Sequence, residues 1–205
     1  MTYAIIGFGS VGQALAKAFA RSGIDVSVAT TRDPDSFVAD AAAIGPRVIP
    51  TTLADAVKAD VIFLAVRFEA HADVAKALPD WHGKTIVDVT NAYGVELGGQ
   101  PSAKVVAKAF TGAKLVKGFN HLVAGVLDQD PAVHGGRRVV FPASDDDGAI
   151  AEIGALAEQL GFAPIKLGGI ADGGLLVQAR GNTWGQLIFT DLVKFDGTTR
   201  TRPTE

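Results

Sequence analysis

Not one cysteine occurs among the 205 residues of this chain. Disulfides, thiolate metal sites, thiol redox chemistry and a cysteine nucleophile are therefore excluded. The histidines are His71, His82, His121 and His134; none has metal-ligand spacing, and no metal site is expected. No apolar run reaches the roughly 20 residues that a membrane span needs. The amino terminus has no basic lead, and its apolar run is cut by Gly7 and Gly9, so it reads as a first strand and not as a signal peptide. An excess of positive charge is also missing. Lys and Arg number 19 against 22 Asp and Glu, and the basic residues are scattered, which argues against a nucleic-acid partner. The end from Lys194 to Arg202 is too short and too mixed in charge to alter that. A cytoplasmic protein acting on small molecules, with no membrane association, is the expectation.

What is present begins at the first residues. Tyr3-Ala-Ile-Ile6 runs into Gly7-Phe8-Gly9-Ser10-Val11-Gly12, a G-x-G-x-x-G turn between a short apolar strand and an amphipathic segment. Gly7 permits the tight turn, Gly9 lets an anion approach the backbone, and Gly12 lets a helix pack closely. The free N–H groups and the dipole of that helix then face a pyrophosphate. Val11, Ala14, Leu15, Ala18 and Phe19 recur at helical spacing and form one apolar stripe, with Gln13, Lys17 and Arg21 on the outer side. Gly23 is placed to stop the helix. Ile24 to Ala29 reads as the second strand and completes a βαβ beginning.

The tip of that second strand selects among dinucleotides. NAD-specific sites place Asp or Glu there for the ribose hydroxyls. Here the residues are Ala29-Thr30-Thr31-Arg32. Arg32 can pair with a ribose 2′-phosphate and the threonines can donate hydrogen bonds, which favours NADP(H). The competing reading makes Asp33 the ribose-binding acid; before Pro34 it is better placed to cap a helix.

The remaining chain alternates. Helices are predicted over Pro34–Ile44, Thr51–Ala59, Glu69–Leu78, Ser102–Phe110 and Asp145–Leu160. Strands are predicted over Arg47–Pro50, Asp60–Val66, Lys84–Thr90, Lys114–Gly118, Arg137–Phe141 and Ala163–Leu167. This is an α/β pattern: a Rossmann-type, doubly wound, mostly parallel sheet covered on both faces, with a small carboxy-terminal helical extension. Gly168–Gly174 marks a boundary between a domain of residues 1–168 and a segment of residues 169–205, in which Leu175 to Val193 reads as a last helix carrying Arg180, Asn182 and Trp184. In such sheets ligands bind beyond the carboxyl ends of the strands. Those loops carry Gly7–Gly12, Thr30–Arg32, Val66–Phe68, Thr90–Tyr93 and Phe119–His121. His121 is the histidine in a ligand-facing loop, either touching substrate or bonded to backbone; His71 is expected on an exposed helix face and His134 in a loop. Asp145–Asp147 reads as helix capping and not as a metal site. Ser10 lacks the G-x-S-x-G context of a nucleophile.

Four stretches carry a resemblance: the fingerprint, Leu64-Ala65-Val66, Ile86-Val-Asp-Val-Thr-Asn91 and Leu115-Val-Lys-Gly-Phe-Asn120. From Tyr3 to about Asp196 the chain resembles the deazaflavin-coenzyme-dependent NADP oxidoreductases, above all their bacterial dinucleotide-binding branch. The same domain occurs in metalloreductases of the six-transmembrane epithelial antigen family. The resemblance implies NADPH as hydride donor and a flat redox partner, flavin or deazaflavin, against the nicotinamide. It implies that Thr30, Thr31 and Arg32 hold the 2′-phosphate, that Ala65 and Val66 line the dinucleotide, and that Asn91 and Asn120 lie near the nicotinamide. With the fingerprint residues Gly7, Phe8, Gly9, Ser10, Val11 and Gly12 these make up the expected cofactor-binding set. The chain departs from the pattern at Arg67, where many relatives carry proline, and in Val177–Trp184.

Hydride transfer between two bound cofactors needs little acid–base help. Reduction of a small carbonyl or imine would need a proton donor, and His121 or Arg67 is then the candidate. An NADP(H)-binding regulator without turnover stays open as well. The many apolar residues of Leu175–Val193 lead to the expectation of a homodimer with that segment at its centre.

Overall fold

The computed structural model describes residues 1–133 and 135–179. The first half of the sheet is built by β1 (Tyr3–Ile6), α1 (Ser10–Arg21), β2 (Val26–Ala29), α2 (Val38–Ile44) and β3 (Val48–Pro50). The second half is built by α3 (Leu53–Ala56), β4 (Val61–Leu64), α4 (His71–Ala75), β5 (Thr85–Asp88), α5 (Ser102–Ala109) and β6 (Lys114–Lys117). The strands lie side by side in the order β3-β2-β1-β4-β5-β6, all parallel. The chain reverses direction across the sheet between β1 and β4, and that switch point opens a crevice at the carboxyl edge. Register aligns the last residues of the strands in one row: Ala29, Ile6, Leu64, Asp88 and Lys117.

The inner strands are short and buried on both faces, as a parallel sheet under two helix layers requires. Alternate side chains serve opposite cores. Ile5, Val28, Phe63, Val87 and Val116 meet α1 and the later long helix, whereas Ile6, Ile62, Leu64 and Ile86 meet the α4–α5 side. Tyr3, Phe19, Phe63, Phe119 and Phe162 touch in sequence through the first core, with ring centroids 5.4–5.8 Å apart. Burying each such ring stabilises the fold by about 1.5–3 kcal/mol.

After β6 come α6 (Ala124–Leu127), the hairpin β7 (Ala132–Val133) and β8 (Gly136–Arg137), then β9 (Val139–Val140), α7 (Asp147–Gln159), β10 (Ala163–Pro164) and α8 (Gly173–Leu176). Here the structure corrects the sequence reading. The stretches expected as strands at Arg137–Phe141 and Ala163–Leu167 supply a two-residue parallel pair, β9 with β10, outside the main sheet. Pro142 and Pro164 carry no N–H and cannot extend a ladder. The pair is tied to the sheet edge where Lys117 and Ala143 exchange backbone bonds of 2.8 Å.

Two predicted helices are each split. Pro34–Phe37 is a 3-10 turn and α2 starts only at Val38, because Phe37 (φ −134°) turns its ring into the core against Phe8. Likewise Phe68–Ala70 is a 3-10 turn ahead of α4, which ends where the Trp81 indole donates to the Ala75 carbonyl. His71 is buried and not exposed: its ring packs on Phe68 at 4.8 Å and its Nδ1 meets the Phe68 carbonyl. The segment after Gly168 folds back on the domain, with Ile170 in the second core and Val177 against Val139 and Phe141. The helix expected from Leu175 is, within the described residues, α8 alone, ending at Leu176. His134 and residues 180–193 of that predicted helix, Arg180, Asn182 and Trp184 among them, lie outside the described residues.

Candidate functional site

The fingerprint glycines are held for different reasons. Gly7 has φ +104°, and a Cβ there would sit 2.3 Å from the Ala65 carbonyl oxygen. A Cβ on Gly12 would sit 1.9 Å from the Gly7 oxygen. Both positions are dictated by packing of the loop on β4 and of α1 on the loop. Gly9 is exposed, has an ordinary φ of −80°, and a Cβ there would meet nothing within 4 Å. Its bare Cα opens onto the crevice. Gly9 is also the N-cap of α1 and supplies no side-chain cap, and the first turn contains no acid. The first intrahelical amide is that of Gln13, bonded to the Gly9 carbonyl at 2.9 Å. The amides of Ser10, Val11 and Gly12 precede it, so the positive end of the helix faces the groove. Phe8 contributes backbone only; its ring is buried on Phe37 at 5.6 Å.

The groove has three connected parts. One, of about 550 Å3, lies between Gly7–Gly9, Thr30–Arg32 and Ala65–Arg67. Thr30 Oγ1 accepts from the Arg32 amide at 2.9 Å, which sets the turn after β2. The exposed Arg32 guanidinium lies 5.7 Å from the centre of the Phe37 ring and has no ion-pair partner among the described residues. Asp33 accepts from the Asp35 amide at 2.9 Å and caps the 3-10 turn, as expected of a residue before Pro34. No carboxylate therefore stands at the tip of β2.

The middle part, of about 450 Å3, shares Gly9, Ala65, Val66 and Arg67 with the first and adds Ser10, Val11, Glu69, Asn91 and Tyr93. The last part, of about 230 Å3, shares Ser10, Val11, Asn91 and Tyr93 and reaches Phe119–Ala124 beyond β6. Arg67 is exposed at the mouth common to the first two parts. Asn91 and Asn120 join the two far loops: Asn91 Nδ2 donates to the Asn120 carbonyl (2.9 Å), and Asn120 Nδ2 donates to Asn91 Oδ1 (3.0 Å) and to the Val177 carbonyl (2.7 Å).

Phe119, between β6 and these loops, has φ +61°, the one positive value for a non-glycine among the described residues. Left-handed backbone costs about 1–2 kcal/mol there. The Phe119 ring, buried between Phe63 and Phe162, holds the turn in place. The turn directs Asn120 and His121 back toward the sheet edge. His121 is fully buried, its Nε2 is 3.2 Å from the Val139 carbonyl, and burial pushes its pKa down to about 4. The ring is neutral near pH 7, with its one N–H on Nε2 and a bare Nδ1.

The structure thus brings Gly7, Gly9, Ser10, Val11, Thr30, Thr31, Arg32, Ala65, Val66, Arg67, Asn91, Asn120 and His121 to one groove, while Gly12 and the Phe8 ring lie beneath it. Tyr93, about half exposed over the middle part, ends the ligand-facing loop Thr90–Tyr93 but is absent from the cofactor-binding set expected from the sequence. An aromatic in a loop leaving a ligand-facing strand end was the available signal. Of Asp145–Asp147 only Asp146 caps α7, accepting from the Ala149 amide at 2.7 Å; Asp147 is in its first turn, and Asp145 instead accepts from the Ile170 amide at 2.9 Å and ties down the loop after Gly168. Among the described residues no cluster of three or more His, Asp or Glu is placed to hold a metal ion, and no helix is long and apolar enough to cross a membrane.

Residues 2–92 match the family described as NADP oxidoreductase, coenzyme F420-dependent. The hypothetical protein SMa0349 from Sinorhizobium meliloti superposes with a TM-score of 0.88 at 37% identity, covering 95% of this chain and 96% of its own. A protein of Arthrobacter sp. FB24 assigned as an F420-dependent NADP-reductase superposes with a TM-score of 0.67 at 26% identity, over 83% of this chain and 86% of its own. The metalloreductase STEAP2 of Mus musculus is 29% identical over 173 residues, 83% of this chain. The chain spans about a third of that relative, 34% of its length.

Proposed function

We propose that this chain, whose residues 2–92 match the family described as NADP oxidoreductase, coenzyme F420-dependent, is an NADPH-dependent reductase whose second substrate is a flat flavin-like or deazaflavin acceptor. The observation that carries this reading is the Gly9 cradle: an exposed glycine with open space above its Cα, at the uncapped amino end of α1. When bound there, NADP(H) supplies or receives the hydride. The amides of Ser10, Val11 and Gly12 face its pyrophosphate. Arg32, with Thr30 and Thr31 beside it, binds the 2′-phosphate, since no acid at the tip of β2 repels it. Ala65 and Val66 form the wall along the dinucleotide, and Asn91 and Asn120 bound the nicotinamide end. The protein's part is to hold two rings in contact and exclude water. A neutral His121 with its N–H committed to Val139 suits transfer that needs no side-chain acid.

The test is NADPH oxidation by the purified chain with a panel of flavins, deazaflavin coenzyme, ferric chelates, quinones and small carbonyls. Turnover with a flavin or the deazaflavin is expected. Turnover confined to carbonyls or imines would replace the acceptor, and binding of NADPH without turnover of any acceptor would make the protein a sensor.

A further inference from the structure

Below the far end of the groove two charges are enclosed. Lys117 and Asp88 are each 0% exposed. They are the last residues of β6 and β5 and face one another in register. Lys117 Nζ lies 3.1 Å from Asp88 Oδ2 and also donates to the Thr90 carbonyl. Asp88 Oδ1 accepts from the Thr90 amide at 2.9 Å and from the Thr90 hydroxyl at 2.7 Å. Apart from the ion pair itself, all of these bonds reach into the loop after β5. The next residue of that loop is Asn91, locked to Asn120 from the loop after β6.

The strands have little need of this pair. β5 and β6 are already laddered from Thr85–Lys114 to Asp88–Lys117, and the Lys117 backbone is bonded on its other side to Ala143. A buried ion pair is a weak source of stability, because loss of hydration offsets the attraction; apolar residues of similar volume hold strands together as well. Burial accordingly pulls the Lys117 pKa below the ordinary lysine value, with Asp88 opposing. What the pair does that apolar residues cannot is to grip both the N–H and the C=O of Thr90. That fixes the direction in which Asn91 leaves the strand.

We propose that Lys117, acting with Asp88, is a positioning residue: through Thr90 the pair sets the Asn91–Asn120 couple at the nicotinamide end of the groove. This rests on the reading of the groove as an NADP(H) site. Neither charged residue touches the cofactor.

The experiment compares the wild-type chain with two variants. Asp88→Asn combined with Lys117→Met removes both charges together and leaves neither stranded. Thr90→Val removes only the hydroxyl. Adenosine 2′,5′-bisphosphate, titrated by calorimetry, reports the Arg32 end of the groove. NADPH, titrated by the fluorescence of its reduced ring, reports the far end. Both variants are expected to bind the bisphosphate as wild type does. NADPH affinity should fall roughly threefold to thirtyfold in the double variant, with less in Thr90→Val, and the emission of the bound ring should move toward that of free NADPH. Unchanged NADPH affinity and emission in both variants overturn the proposal. So does an equal loss of both ligands, which would make the pair a structural staple. A wild-type chain that binds neither ligand overturns the cofactor reading, and the positioning role with it.

Discussion

A Cβ added at Gly9 would meet nothing within 4 Å, whereas one added at Gly12 would collide with the Gly7 carbonyl at 1.9 Å. Two opposite outcomes are expected. Gly9→Val keeps the fold but fills the space a pyrophosphate needs, so circular dichroism stays native while NADPH binding disappears. Retained binding would show that the loop serves structure alone. Gly12→Ala, in contrast, forces α1 off the sheet and lowers the melting temperature even without ligand.

Arg32 is a cation with a ring beneath it and no carboxylate against it. Arg32→Ala should cost NADPH about 1.5–3 kcal/mol, or roughly tenfold to more than a hundredfold in affinity, and leave NADH almost unaffected. Equal affinities of the wild type for the two cofactors, measured by titration, would defeat this selectivity.

His121 carries a pH signature. Its folded pKa, about 4, lies below the ordinary 6.5 because burial disfavours the charged ring. Above pH 6.5 neither folded nor unfolded ring is protonated, and no stability is lost. Between the two values the unfolded chain binds a proton that the folded chain refuses, so stability falls as pH falls. The loss is complete below the folded value and amounts to about 3 kcal/mol. Thermal melts from pH 7 to 4 should therefore decline less steeply for His121→Gln than for wild type; parallel declines would show that His121 does not titrate across unfolding.

α1 shows how far periodicity carries. Its apolar stripe is buried as the spacing predicts, and it ends in a Schellman turn: Ile24 N–H to the Phe19 carbonyl at 3.0 Å, Gly23 N–H to that of Ala20 at 3.1 Å. Gly23 has φ +70°, but a Cβ there would find only Arg47 Nε, 3.9 Å away. Gly23→Ala should therefore cost backbone strain alone, about 1–2 kcal/mol, read as a lower denaturant midpoint at constant slope. A much larger loss would mean that space and not conformation is limiting. Elsewhere periodicity failed for identifiable reasons. The helix predicted over Pro34–Ile44 breaks where Phe37 turns inward, and the one predicted over Glu69–Leu78 starts late because the buried Phe68 ring sets a 3-10 turn through Ala70 ahead of it. His71 looked exposed because a polar side chain three residues from Phe68 gives no sign that the ring will lie on it.

Across the whole molecule, the sheet order creates the groove, and the carboxy-terminal segment is tied to the loop after β6 and to the start of α5. The Val177 carbonyl receives Asn120, and Gln178 Oε1 receives the Ser102 amide at 2.8 Å, capping α5. Leu175 and Leu176 on the same segment are 41% and 45% exposed. Apolar side chains left at a surface mark an interface, and we expect a homodimer formed through this segment. Light scattering at micromolar concentration should return twice the chain mass; a monomer mass unchanged by NADPH would defeat the dimer.

The amino-acid sequence by itself determined the βαβ opening, the glycine fingerprint, the absence of an acid at the tip of β2 and the alternation that makes a parallel sheet. Each is written in a window of a few to about a dozen residues, where backbone conformation and side-chain period are local properties. Only the tertiary structure decided that the Ala65 carbonyl presses on Gly7, that Asp88 meets Lys117 at a sequence separation of 29, that Phe119 must turn left-handed, and that His121 is sealed and neutral. A charge within each of two apolar strands is visible in the sequence. Its partner is not, because which strands become neighbours, and in what register, is settled by the packing of both faces of the sheet at once.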